Sequence, residues 1–219
     1  MKFLRSFISA FLGGVSVSFG CAAYHMYFNT SPALASLMFA VSFLVIAIFK
    51  FNLFTDKIGH LFDKGKAEKN LETLGITLIG NLLGAFTCGT LFMSQFYDFV
   101  TDAAETKITK LDFLSVFFSS VLCGILIYIA LHGFRKAGSG FTGSLILVGA
   151  IMLIGLCGFE YAVSNAFITG AGISNMSNYS KYGVQIAILW FGSALGNAIG
   201  AAAFAYLRKV SDTEESSKK

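Results

Sequence analysis

Long apolar segments, separated by short charged ones, follow one another along almost the whole chain. Six of them have the length of a membrane span and occupy residues 3–28, 33–53, 74–99, 111–134, 145–168 and 182–206. A helix needs roughly 20 mainly apolar residues to cross the hydrocarbon core of a bilayer, and the apolar helices of soluble proteins are usually shorter. The pattern therefore predicts an all-α membrane protein with six transmembrane helices.

Composition and charge distribution support this prediction and give an orientation. The chain has 219 residues, of which 55% are hydrophobic and only 13% charged, whereas a soluble domain is about one-quarter charged. Loops rich in Lys and Arg stay in the cytoplasm because these residues resist translocation. We therefore expect a multi-pass protein of the plasma (inner) membrane with both termini in the cytoplasm. The net charge of +4 then reflects this asymmetry and not binding to nucleic acid. The cytoplasmic set comprises Lys2, Arg5, Lys57, Lys64, Lys66, Lys69, Arg135, Lys136, Arg208, Lys209, Lys218 and Lys219, and the opposite side carries Lys107, Lys110 and Lys181.

The sequence does not indicate catalysis, a cofactor or a metal site. The cysteines stand singly in apolar segments, without the paired spacing of a zinc site, and the histidines share no ligand spacing. No phosphate-binding loop, dinucleotide fingerprint or Ser/His/Asp set occurs. We therefore expect a protein that is not an enzyme, with small buried cysteines and with histidines near the membrane interfaces. These residues are Cys21, Cys88, Cys123, Cys157, His25, His60 and His132.

One short motif occurs once in each half of the chain. Gly-Asn-x-x-Gly is found at residues 80–84 in the third predicted span and at residues 196–200 in the sixth. Two interpretations of Asn81 and Asn197 are open. They tie helices together and anchor broken helices beside closely packed glycines, or they contact a transported solute directly.

The third and sixth spans cross the membrane in opposite directions, so the motif predicts an inverted repeat. We predict a single channel domain, residues 1–219, with a first half of about 1–100, an inverted second half of about 111–209, and a cytoplasmic tail at 210–219. Such repeats are typical of transport proteins, whose pathway lies between the halves and is lined by discontinuous helices. The second and fifth predicted spans are the ones expected to be broken, because they carry polar residues at membrane depth.

Four motifs together resemble the formate/nitrite transporter family. The resemblance implies an aquaporin-like protomer, assembled as a homopentamer in the lipid bilayer, in which each protomer has its own pore for a small monovalent anion. The motifs are Leu-Phe-Thr at residues 53–55, Gly-Asn-x-x-Gly at 80–84, Gly-Phe-Glu-Tyr-x-x-Ser-Asn at 158–165, and Gly-Asn-x-x-Gly at 196–200.

The resemblance also implies roles for individual residues. Thr55 and Tyr161 match the family's threonine and histidine, which face one another in the middle of the pore. Apolar constrictions are expected on either side of them, at Phe39, Leu53, Phe54 and Ile154.

Two positions depart from the family pattern. The central histidine is replaced by Tyr161, and an asparagine expected on the fourth span is replaced by Gly124. A tyrosine, with an unperturbed pKa of about 10, donates a hydrogen bond but seldom gives up its proton at neutral pH. We therefore expect Tyr161 to orient the solute together with Thr55.

Three other polar residues of the predicted spans are candidates. Lys50 either attracts anions into an inner vestibule or extends its amine to the membrane surface. Glu160, a carboxylate inside a span, must be protonated or paired; we expect it to fix the break of the fifth helix, with proton relay as the alternative. Asn165 is expected to be part of the same scaffold.

The predicted function is a channel or transporter for a small monovalent weak-acid anion such as formate, nitrite, hydrosulfide or a short carboxylate, with or without protonation of the anion during passage. The alternative is a channel for a small neutral solute, because Tyr161 stands in place of the histidine.

Overall fold

The structure, a computed structural model, describes residues 2–61, 67–92, 98–138, 140–172 and 179–217. All regular structure in these ranges is helical. A 3-10 turn precedes α9, and a π-helical turn, Ile188–Gly192, joins α9 to α10. The α-helices are α1 (Lys2–Tyr27), α2 (Pro32–Phe49), α3 (Phe54–Gly59), α4 (Ala67–Phe92), α5 (Asp98–Thr109), α6 (Phe113–Lys136), α7 (Phe141–Cys157), α8 (Ala162–Gly172), α9 (Gly183–Ala187) and α10 (Ser193–Ser217).

Several of these helices belong to segments that are long and apolar enough to cross a membrane. Within the described residues, five helical segments meet this criterion, and the pair α7 and α8, bent by 51° at a short break, makes a sixth if it counts as one span. The multi-pass, all-helical prediction is confirmed at this level. The five segments are Lys2–Tyr27, Pro32–Phe49, Leu71–Leu91, Phe113–Lys136 and Ser180–Asp212.

Two similar helix groups make up the bundle. In the first, α1 packs against α2 and α4; in the second, α6 packs against α7 and α10. The groups are connected because α4 also packs against α8 and α10 against α3. Small residues allow this close approach: a Cβ on Gly14 would overlap the carbonyl oxygen of Asn81, and a Cβ on Gly124 would overlap that of Asn197. Gly124 is therefore a close-packing position, with no room for the asparagine that the family pattern suggested.

The second predicted span, residues 33–53, ends earlier than expected. Ser31 caps α2 by accepting a hydrogen bond from the Leu34 amide, and Pro32 occupies the first turn. The helix ends at Phe49 because Lys50 adopts the left-handed conformation, with φ of 57°. Residues 51–53 are non-helical and lead into α3.

The fifth predicted span, residues 145–168, is interrupted in the same manner. Gly158 ends α7 in the left-handed conformation, with φ of 66°. The chain resumes as α8 at Ala162.

Three boundaries differ from the sequence prediction. The segment at 100–110, which connects the third and fourth predicted spans, is largely helical in α5. The last helix continues to Ser217, so the predicted tail, 210–219, is helical over its described part. The third predicted span, 74–99, begins earlier, with α4 at Ala67, and its residues 93–97 lie outside the described part.

Candidate transport pathway

The break between α7 and α8 is held by one buried amide. Asn197, on α10, donates to the carbonyl oxygen of Ser120 at 2.8 Å and to that of Glu160 at 3.0 Å. Its own oxygen accepts from the Ala162 amide at 3.0 Å. The side chain thus satisfies backbone groups on both sides of Tyr161 that the interrupted helix leaves without partners.

Asn81 makes the same three bonds at the break between α2 and α3. It donates to the carbonyl oxygens of Ala10 at 2.7 Å and Asn52 at 2.8 Å, and it accepts from the Phe54 amide at 2.9 Å. Both asparagines therefore lie at broken helices, fully buried, and their amide groups are used by the backbone.

The correspondence extends to a serine at each break. The Asn52 amide donates to the Ser9 hydroxyl at 3.1 Å, and the Glu160 amide donates to the Ser119 hydroxyl at 3.0 Å. Residue 50 is thereby equivalent to 158, and 53 to 161. The two breaks share a hydrogen-bonding pattern but carry different side chains.

The two hydroxyls expected in the middle of the pore lie next to one another. The side chains of Thr55 and Tyr161 are near neighbours, and both are buried, with exposures of 0% and 2%. Among the residues that the structure describes, none completes a hydrogen bond with either hydroxyl. A buried hydroxyl without a partner costs free energy, so this pair is suited to a polar solute that supplies the missing partner.

Phe43, which sequence reasoning missed, packs on this pair. Its ring lies 5.8 Å from the Tyr161 ring and 5.3 Å from the Phe39 ring, measured between centroids. It is fully buried. The sequence feature that could have identified Phe43 is its position four residues after Phe39, which places both rings on the same face of α2.

A cavity of about 110 Å³, the Lys107 cavity, opens on one side of Tyr161. Phe39 and Ile154, two of the expected constriction residues, contribute to its wall, and Lys107 and Ser164 contribute polar groups. Leu53 is fully buried and Phe54 half-buried at the break before α3.

Lys107 is the second residue that sequence reasoning missed. Its Nζ lies 2.7 Å from Glu160 Oε2, an ion pair, and donates to Asn165 Oδ1 at 2.9 Å. Lys107 lies on α5, in the segment between the third and fourth predicted spans. The available signal was Glu160 itself, because a carboxylate within a span requires a cation or a proton.

Asn165 fixes one end of this arrangement. Its Nδ2 donates to the Leu189 carbonyl oxygen and to the Ser193 hydroxyl, both at 3.3 Å. Leu189 lies in the π-helical turn before α10. Because its nitrogen is engaged there, the amide oxygen of Asn165 faces Lys107.

A larger cavity of about 800 Å³, the Lys50 cavity, lies beyond the other end of α2. Lys50 contributes to its wall, together with Asp56, Lys57 and Arg135. Asp56 accepts two hydrogen bonds from Arg135, at 2.7 and 3.1 Å. Ile46 also contributes to this wall, so the residues of α2 reach one cavity at Phe39 and the other at Ile46.

Metal binding has no support in the described part of the chain. There, no group of three or more His, Cys, Asp or Glu side chains is positioned to hold an ion.

Long apolar helices around two cavities, with polar groups buried between them, define a multi-pass membrane transport protein. The chain belongs to the formate/nitrite transporter family, whose model matches residues 1–212. The resemblance seen in the motifs is thus confirmed.

Two solved structures are similar in fold. One is described as a pentameric formate channel with formate bound; the TM-score is 0.80 at 18% identity, covering 95% of this chain and 96% of that one. The other is described as an FNT family ion channel; the TM-score is 0.82 at 20% identity, covering 95% of this chain and 90% of that one. No curated protein sequence matches the chain.

Proposed function

We propose that the protein is a channel for a small monovalent weak-acid anion, such as formate, nitrite, hydrosulfide or a short carboxylate. The observation that carries the proposal is the pair of buried hydroxyls, Thr55 and Tyr161, that lack hydrogen-bond partners. They lie in the bundle where α2 passes from one lysine-bearing cavity to the other. The solute passes between the cavities and binds the two hydroxyls on its way.

The first polar contact is Lys107. An ammonium group has three N–H donors, and two of them are directed at Glu160 and Asn165. No described residue accepts a hydrogen bond from the third, which can therefore meet an anion in the cavity. Glu160 and Asn165 act as the scaffold that keeps the lysine beside the pathway.

Tyr161 and Thr55 then replace part of the hydration shell of the solute. An anion without such donors would be too costly to bring into the apolar centre of the bundle. Phe39, Ile154, Phe43 and Leu53 keep the passage narrow and exclude bulk water. Lys50 draws the anion onward into the second cavity.

In this proposal the halves of the chain, about 1–100 and 111–209, form an inverted repeat within one channel domain. The matching bonds of Asn81 and Asn197 at the two broken helices support it. Both termini are cytoplasmic, so the Lys50 cavity faces the cytoplasm, in the plasma (inner) membrane. The protomers assemble as homopentamers, as the related formate channel does.

A neutral solute is the second candidate. The charge of Lys107 is balanced by Glu160 at 2.7 Å, and Tyr161 keeps its proton at neutral pH. A pathway of this kind also suits the protonated acid or another small polar molecule.

Solute flux into liposomes tests the proposal. Purified protein is reconstituted, and uptake of formate, nitrite, hydrosulfide and acetate is measured from pH 5 to 8. Removing the Tyr161 hydroxyl with Tyr161→Phe should lower flux about tenfold, since a hydrogen bond to a charged group contributes about 1.5–3 kcal/mol. Tyr27→Phe, which removes an exposed hydroxyl at the end of α1, is the matched control.

The pH dependence separates the two candidates. Flux that follows the concentration of the anion supports the anion channel. Flux that rises as the pH falls, in proportion to the protonated acid, supports the neutral solute. Correctly folded protein that passes none of these solutes would contradict both.

A further inference from the structure

The Lys50 cavity carries an excess of positive charge. Of the described residues in its wall, Lys50, Lys57 and Arg135 carry positive charge, and Asp56 carries the one carboxylate. Arg135 already binds this carboxylate through two hydrogen bonds, in bidentate geometry. Among the described residues, the two lysines make no ion pair, so two positive charges face the cavity without a counter-charge.

The backbone of Lys50 is a second unusual feature. Among the non-glycine residues that the structure describes, it alone has a positive φ. Glycine adopts this conformation without the steric conflict that a Cβ introduces, and the equivalent position in the other half of the chain is indeed Gly158. Strained residues that persist in a structure often indicate a function. Here the strained conformation keeps a lysine at the wall of the cavity.

The cavity has room for a ligand larger than the permeant anion, such as a phosphomonoester, as well as for a phosphate ion. At about 800 Å³ it falls in the range of about 300–1,000 Å³ typical of sites for whole metabolites. A formate or hydrosulfide ion would occupy a small part of it. Two uncompensated lysines match a dianion, and lysine is a common ligand of phosphate.

We infer that the Lys50 cavity is a binding site for a phosphate-class dianion, either inorganic phosphate or a phosphomonoester. Lys50 and Lys57 donate to the phosphate oxygens, and the Arg135–Asp56 ion pair forms one side of the site. Because Lys50 also receives the permeant anion, a bound phosphate closes this mouth of the pathway. That consequence rests on the proposed channel function, whereas binding itself does not.

Binding is measured first, without reference to transport. Inorganic phosphate is titrated calorimetrically into the full-length protein in neutral detergent at low salt, with formate titrated in parallel. Phosphate should bind at least tenfold more tightly than formate, and the affinity should fall as salt is raised. Lys50→Gly and Lys57→Gln should each weaken phosphate binding about tenfold, the loss expected for one charge-assisted hydrogen bond.

The variants are chosen to fold. Lys50→Gly places at this position the residue found at its counterpart, Gly158, and so relieves backbone strain. Lys110→Gln removes one positive charge outside the cavity and should leave the phosphate affinity unchanged. Equal affinity for phosphate and formate, or unchanged binding in both cavity variants, would overturn the inference.

Two further experiments address the source of the phosphate and the consequence for transport. In nanodiscs that contain phosphatidylglycerol, free phosphate should still bind. The inference is wrong if the lipid abolishes phosphate binding and the binding of the lipid itself depends on Lys50 and Lys57. In that case the ligand of the cavity is a lipid headgroup. In liposomes, phosphate on the side of the Lys50 cavity should inhibit formate flux in the native protein, and about tenfold more phosphate should be needed to inhibit the Lys57→Gln protein, whose substitution lies in the cavity wall. Absence of all flux with phosphate binding intact contradicts the channel proposal alone.

Discussion

Replacing Asn197 by leucine removes the side chain that holds the break before α8 while keeping its approximate volume. Three hydrogen bonds are lost, to the Ser120 and Glu160 carbonyls and from the Ala162 amide. At about 1 kcal/mol for each buried bond the loss is about 3 kcal/mol. With the smaller value of about 0.6 kcal/mol found between membrane helices it is about 2 kcal/mol. We therefore expect a destabilisation of about 2–3 kcal/mol.

Asn81→Leu removes the equivalent bonds at the break before α3 and should be equally destabilising. The assay is unfolding in mixed micelles of a mild detergent and dodecyl sulfate, followed by circular dichroism. Ser16→Ala is the control, because it removes a hydrogen bond from the Ser16 hydroxyl to Leu12 within a single helix, at an exposed position. Its effect should stay below about 0.5 kcal/mol.

Two results would refute this reasoning. If both asparagine variants match Ser16→Ala in stability, the amides merely fill space and the breaks are held by other contacts. If only one variant is destabilised, the two breaks are not energetically equivalent, and the inverted repeat loses its main physical support. The same proteins, tested for flux, should transport poorly, because each break places a residue of the pathway.

Further predictions concern charge, packing and the width of the passage. Glu160→Gln leaves the charge of Lys107 without its partner, so the KM for a transported anion should fall severalfold in flux assays; an increase would contradict anion attraction. Gly124→Ala places a methyl group against a backbone carbonyl of α10 and should destabilise by about 1–3 kcal/mol, whereas Gly149→Ala, with open space around it, should stabilise by about 0.5–1 kcal/mol; equal unfolding midpoints would contradict this. Phe43→Leu should raise lactate flux relative to formate flux, because it replaces the ring that packs on Tyr161 by a smaller side chain. An unchanged flux ratio would mean that another residue limits the width of the passage.

The spans and the two Gly-Asn motifs could be predicted from the sequence because their signals are local. The length of an apolar segment is enough to predict a membrane helix, and a motif that occurs in both halves of the chain predicts that the helices carrying it have similar surroundings. The position at which α2 ends was harder to predict from the sequence. Its last apolar residues continue without a polar signal, and the helix ends because Lys50 adopts a left-handed conformation in which one expects a glycine.

Lys107 could not be predicted from its neighbours in sequence. It lies in a segment of mixed polarity, 53 residues before Glu160, and only the packing of α5 against α8 brings the two together. Glu160 indicated that a partner must exist, but not which of the lysines on that side it would be. The Lys107–Glu160 ion pair is a tertiary contact, so it can be identified from the fold but not from a sequence motif.

The two breaks show how one scaffold has acquired two different chemistries. Their backbone bonds to Asn81 and Asn197 correspond, yet Leu53 occupies the position equivalent to Tyr161, and Lys50 that of Gly158. The second break therefore carries Tyr161 and obtains its cation from α5. The first break carries Leu53 at the equivalent position, contributes its hydroxyl two residues later, from Thr55 in α3, and has its own cation, Lys50, at the cavity wall. In the proposed channel, a solute arriving from the Lys107 cavity meets a balanced ion pair before Tyr161. One arriving from the Lys50 cavity meets a lysine for which the described residues provide no counter-charge before it reaches Leu53. In the proposed inverted repeat, the shared asparagine bonds support both sides of the proposed pathway, and the different side chains make its two approaches electrostatically different.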